Sequence, residues 1–196
     1  MGRRTSRYGC LPFLVLAVAL VGVTPGEAVS FALADRDREQ AIRMGTKSIV
    51  EEQFGAEWRL TDASGQTLVV MTPFHRLALA ARNSAFRSQE LKPRDVQSAV
   101  KDTEGKLSFR VTLRGGKTDF ARFYTPTLLA GSQEVKASFV QNERTALRED
   151  DGRYAAQCVY EFAAAGIDPK GRVVLVVKDA DLREVAKFTV DLAAMR

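Results

Sequence analysis

The stretch Leu107–Arg114, LSFRVTLR, alternates without a break. Leu107, Phe109, Val111 and Leu113 fall on one side, and Ser108, Arg110, Thr112 and Arg114 on the other. Successive side chains of a strand point to opposite faces, so this pattern describes a sheet with one dry and one wet face. A slip of one residue would bury two arginines and expose four large apolar groups, so the register is strongly determined. The same period recurs downstream. Tyr154, Ala156, Cys158, Tyr160 and Phe162 share a face, as do Ala186, Phe188, Val190 and Leu192. Asp151-Gly152 is a hairpin signal between strands expected over 135–147 and 153–162, and an acidic turn joins GRVVLVVKD to EVAKFTVDL. Closely spaced strands with turn signals between them predict a mostly antiparallel, Ig-like β-sandwich.

The N-terminal half has a helical period instead. Over residues 35–54, Ile42, Ile49, Val50 and Phe54 recur at helical spacing, with Asp35 placed as the cap, Gly45 as a weak point and Gly55 as the stop. EWRLTDASGQTLVVMT then reads as two short strands, of which Leu68–Met71 is apolar on both faces. Thr72-Pro73 opens a second helix, with Thr72 as N-cap and Phe74, Leu77, Ala78, Ala81 and Ala85 on one face. A third starts at Pro93 and ends near Gly105. The expected class is therefore α+β: an N-terminal helical segment over 29–57, then a sandwich over 58–196 with a helical insertion at 73–104.

Residues 1–28 form a three-part leader. Arg3, Arg4 and Arg7 precede an apolar run from Leu11 to Val23, and Gly26 and Ala28 are spaced as signal peptidase prefers. The run is shorter than the roughly 20 residues that span a bilayer, so the expectation is a cleaved signal peptide and a secreted or periplasmic protein. An uncleaved leader, acting as a membrane anchor, is the alternative. Cleavage removes Arg3, Arg4, Arg7 and Glu27, so 29 basic and 24 acidic residues become 26 and 23 and the net charge falls from +5 to +3. So small an excess, without a basic run, argues against nucleic acid as a partner. Of the two cysteines, Cys10 lies in the leader, so Cys158 has no intramolecular disulfide partner in the mature chain.

The chain has one histidine, His75, in the first turn of the second helix. A catalytic histidine needs a nucleophile and an orienting acid close in space. Ser84 and Ser88 are nearby in sequence, but no G-x-S-x-G elbow is present. His75 reads as a structural or surface residue, with an envelope hydrolase using His75 and a serine as the alternative function. One histidine and one mature cysteine do not make an ordinary zinc site. The acids of REDDG (Arg148–Gly152) and DADLRE (Asp179–Glu184) sit where hairpin turns belong, and neither stretch has the ligand count of a calcium loop. Neither phosphate-binding glycine pattern, G-x-x-x-x-G-K or G-x-G-x-x-G, occurs, so no cofactor or metal is expected.

The remaining surface feature is basic and aromatic. Arg110 and Arg114 share the wet face of their strand, and Arg122, Phe123 and Tyr124 follow in TDFARFYTPTLLAG. Arginines for anionic groups and aromatics for contact area predict a recognition patch. The expected function is a non-enzymatic binding or assembly module, with an envelope protein or an anionic ligand as its partner.

Overall fold

The structure, a computed structural model of the chain, is described for residues 29–196. The leader expected over residues 1–28 lies outside this range. No described helix is long and apolar enough to cross a membrane.

Among the described residues, three α-helices and nine strands form a mixed α+β arrangement. Helix α1 (Asp35–Lys47) comes first, then strands β1 (Arg59–Thr61) and β2 (Thr67–Met71), then helices α2 (Pro73–Phe86) and α3 (Pro93–Lys101). Strands β3 (Lys106–Gly115), β4 (Thr125–Ala130), β5 (Gln133–Gln141), β6 (Leu147–Arg148), β7 (Tyr154–Ala163), β8 (Arg172–Lys178) and β9 (Glu184–Asp191) complete the chain. All pairings are antiparallel. The order is β1-β2-β3-β7-β5-β4-β8-β9, with β6 also on β7.

The alternation in β3 sets the inside of this sheet. Leu107, Phe109, Val111 and Leu113 are buried, and they pair across to Phe162, Tyr160, Cys158 and Ala156 of β7, which share their face. Ala186, Phe188, Val190 and Leu192 meet this core from the other end of the strand order, together with Leu175 and Val177 of β8. The two ends of the strand order are drawn together. Val29 N–H donates to the Leu192 carbonyl at 3.2 Å, and Trp58 Nε1 and Thr72 Oγ1 donate to the Arg196 carbonyl oxygen at 3.0 and 2.6 Å. The result is a nearly barrel-like sheet around one core, which leaves little edge to recruit a foreign strand. One continuous path of neighbours links the strands, and the Ig-like sandwich expected from their spacing is not confirmed.

The helices depart from the sequence reading in instructive ways. Ala34, not Asp35, is the N-cap of α1, and Asp35 occupies the first turn, where its charge favours the dipole. The helix stops at Lys47 and gives way to a single 3-10 turn at Ser48–Val50. Gly45 is the point where α1 meets α2, because a Cβ there would lie 2.1 Å from the Ala78 carbonyl oxygen. At α2 the reading holds. Thr72 Oγ1 accepts the His75 N–H at 3.0 Å, and Pro73 occupies the first turn. Phe74, Leu77, Ala78 and Ala81 are buried. The strand expected over 135–147 is two pieces, β5 and β6, because the chain leaves the ladder after Gln141 and rejoins β7 at Leu147. Gly152, with φ at 85°, closes the β6–β7 hairpin in the left-handed region that favours glycine.

Candidate ligand cleft

His75 is part of the core. It is 2% exposed, and its ring lies flat on Trp58 with centroids 4.1 Å apart and planes 7° from parallel. Nδ1 lies 2.8 Å from the Val70 carbonyl oxygen, so the neutral ring carries its proton on Nδ1 and donates it there. Burial lowers its pKa to about 4, with Arg110 and Arg59 adding repulsion against the Val70 hydrogen bond. Among the described residues no serine hydroxyl hydrogen-bonds to the ring. Ser84 lies more than two turns along α2, and Ser88 follows the helix end. Cys158 is also in the core at 1% exposure, and burial pushes its thiol up. The neighbouring Tyr160 hydroxyl donates to Asn142 Oδ1 at 2.9 Å.

The two acidic turns are occupied by their own backbone. Asp179 Oδ1 accepts the N–H groups of Asp181 and Arg183, each at 2.9 Å. Asp151 accepts the Arg153 N–H at 2.9 Å and its guanidinium at 2.7 Å, and both bonds hold the carboxyl below its ordinary value. Among the described residues no group of three or more His, Cys, Asp or Glu is placed to hold a metal ion.

The structure separates the five residues of the basic and aromatic patch. Arg114 is not free. Its guanidinium forms a two-pronged pair with Glu149 at 2.8 and 3.1 Å and also donates to the Gly65 carbonyl at 2.7 Å. This pair ties β3 to the β6–β7 hairpin and the β1–β2 turn. Tyr124 is half-buried against Phe120 in an edge-on contact, and its carbonyl accepts from Asn142 Nδ2 at 2.8 Å. Arg122 and Phe123 remain on the surface, with the guanidinium 5.2 Å from the ring centroid and Phe123 68% exposed. They lie in the turns between β3 and β4, whereas Arg110 sits mid-strand opposite Val69 and Val159.

Arg110 belongs to a different site. It lines a cleft of about 350 Å³ between α2, the C-terminal end of α3 and the wet face of β3 and β7. A second hollow of about 400 Å³ between α2 and α3 shares Arg76, Asp102 and Arg110 with the first. These sizes are within the usual range for small-molecule sites. On the floor, Lys106 and Glu161 form an ion pair at 3.0 Å. Neither the Arg76 nor the Arg110 guanidinium makes an ion pair or hydrogen bond to any described residue. Ser108, only 7% exposed, lines the same cleft, and its hydroxyl has no hydrogen-bond partner among the described residues. Two guanidiniums without protein partners and an accessible hydroxyl beside them suit an anionic group, because all three can donate hydrogen bonds to it.

Arg110 was legible in sequence as a wet-face cation. Arg76, Ser108 and Asp102 were not singled out. The available signal was a polar stripe on each helix: Arg76 and Asn83 on α2, and Asp95, Ser98 and Asp102 on α3, each at helical spacing. Nothing in the sequence says that the two stripes face one another across Arg110.

No family model matches the chain, and no curated protein sequence matches it. Among solved structures, the chain is similar to one described as a novel protein of unknown function from Burkholderia pseudomallei, at 8% identity and a TM-score of 0.43, covering 83% of this chain and 92% of that one.

Proposed function

We propose that the protein is an exported, non-enzymatic binding module that takes a small anionic ligand in the cleft between α2, α3 and the β3–β7 face. The observation that carries this reading is that Arg76 and Arg110, both unpaired among the described residues, line one cleft together with the unpartnered Ser108 hydroxyl. Guanidinium groups bind carboxylates through paired hydrogen bonds. A leader with a basic start, an apolar run and a small-x-small end supports export. Intact-mass measurement of the exported protein checks that part: a start near Val29 supports it, and an uncleaved Met1 species in the membrane fraction opposes it.

Calorimetric titration with a branched carboxylate, 4-methylpentanoate, tests the cleft. Charge-assisted hydrogen bonds contribute about 1.5–3 kcal/mol, so Arg110→Ala weakens binding by roughly 10-fold to 100-fold. Arg122→Ala, in a separate part of the surface, leaves it unchanged. Equal affinity in wild type and Arg110→Ala would refute the anion reading.

A second reading rests on Phe123. An aromatic ring 68% exposed beneath the Arg122 guanidinium is suited to contact with a protein partner. If that surface carries the function, Phe123→Ser weakens capture of an envelope partner while carboxylate binding in the cleft is unaffected.

A further inference from the structure

We infer that the ligand is a zwitterion, a free α-amino acid with an aliphatic side chain, which deepens and rests on the anion-binding reading above. The two walls of the cleft carry opposite charge. Arg76 of α2 and Arg110 of β3 form one side, and Asp102 at the C-terminal end of α3 forms the other. Asp95, two turns earlier, extends the acidic side. Asp102 and Arg110 are exposed, so their charges are free to meet a ligand. Here the Asp102 carboxylate makes no hydrogen bond or ion pair with any described residue, and neither guanidinium reaches it.

A simple anion held by the two arginines would sit beside this carboxylate and be repelled by it. A ligand with its own ammonium group removes the conflict: its carboxylate meets Arg76, Arg110 and the Ser108 hydroxyl, and its ammonium meets Asp102. Ser108 supports the same placement: the residue is more than nine-tenths buried, and its hydroxyl, without a protein partner among the described residues, is left accessible in the cleft. Leu79, Ala80 and Ala99 give the space between the helices an apolar lining, where an aliphatic side chain loses contact with water.

The test uses three probes of one shape in calorimetric titrations: L-leucine, 4-methylpentanoate (leucine without its ammonium) and 3-methylbutylamine (leucine without its carboxylate). Leucine is expected to bind at least about 10-fold more tightly than 4-methylpentanoate, as a charge-assisted contact requires, and the amine not to bind. Asp102 is exposed, so Asp102→Asn leaves the fold intact by circular dichroism. It should erase the preference for leucine without weakening 4-methylpentanoate. Wild type binding 4-methylpentanoate as tightly as leucine, with both lost in Arg110→Ala, overturns the zwitterion and leaves the anion reading standing. A preference for leucine that survives Asp102→Asn also overturns the inference. No binding of any probe, or binding indifferent to Arg110→Ala, overturns both.

Discussion

Acid should weaken this fold through the buried ring of His75. His75 is the only histidine in the chain, and burial against Trp58 lowers its pKa from 6.5 to about 4. The unfolded chain therefore takes up a proton near pH 6.5 that the folded protein refuses until about pH 4. Stability from this group is complete above pH 6.5 and is lost as pH falls toward 4. Each pH unit crossed costs about 1.4 kcal/mol, so about 2 kcal/mol is lost between pH 7.5 and pH 5, and about 3 kcal/mol by pH 4. Comparison with His75→Gln from pH 7 to 5 separates this contribution from every other group. Urea unfolding followed by fluorescence of Trp58, the only tryptophan in the sequence, measures the effect at the stacked ring itself. His75→Gln keeps a donor for the Val70 carbonyl but does not titrate, so it lacks the His75 contribution of about 2 kcal/mol between pH 7 and 5. A wild-type loss below about 0.5 kcal/mol over that interval, against the roughly 2 kcal/mol expected, refutes the argument. An equal slope in His75→Gln refutes it too.

Three further substitutions test packing and pairing away from the cleft. Gly45→Ala improves intrinsic helix propensity by about 1 kcal/mol, yet its Cβ meets the Ala78 carbonyl oxygen. The net effect is a loss of about 1–2 kcal/mol from forcing α1 off α2, read by urea unfolding; a more stable variant contradicts this. Thr72→Val removes a hydroxyl that caps α2 and also holds the Arg196 carbonyl, so it costs about 1–2 kcal/mol by thermal unfolding. Arg114→Met breaks the fork to Glu149, a partly exposed pair, and lowers stability by about 1 kcal/mol with carboxylate binding unchanged. Loss of binding in that variant would return Arg114 to the recognition surface.

The strands were legible wherever a single face had to be dry. LSFRVTLR could be read without neighbours because alternation is a local consequence of backbone geometry. The Thr72-Pro73 start of α2 was equally local, since a cap and its acceptor lie three residues apart. Gly45 was misread for the opposite reason. A glycine inside a helix looks like a defect until the second helix lies against it. Arg114 looked like a free cation because its partner Glu149 is far away in sequence. The β5–β6 break could not be seen either, because leaving the ladder depends on what β7 offers opposite each residue.

Sequence alone determined that the chain is α+β, that its sheet is antiparallel with one dry face, that Cys158 packs inward and that Arg110 faces outward. Each follows from the period of the side chains or from contacts within a few residues. Only the tertiary structure decided that the strands follow one nearly closed path and that His75 is a buried neutral ring. It also separated Arg110 from Arg122 and Phe123, and placed Arg110 with Arg76, Asp102 and Ser108. Those outcomes depend on which surfaces meet, and a meeting between residues distant in sequence leaves no periodic trace in either of them.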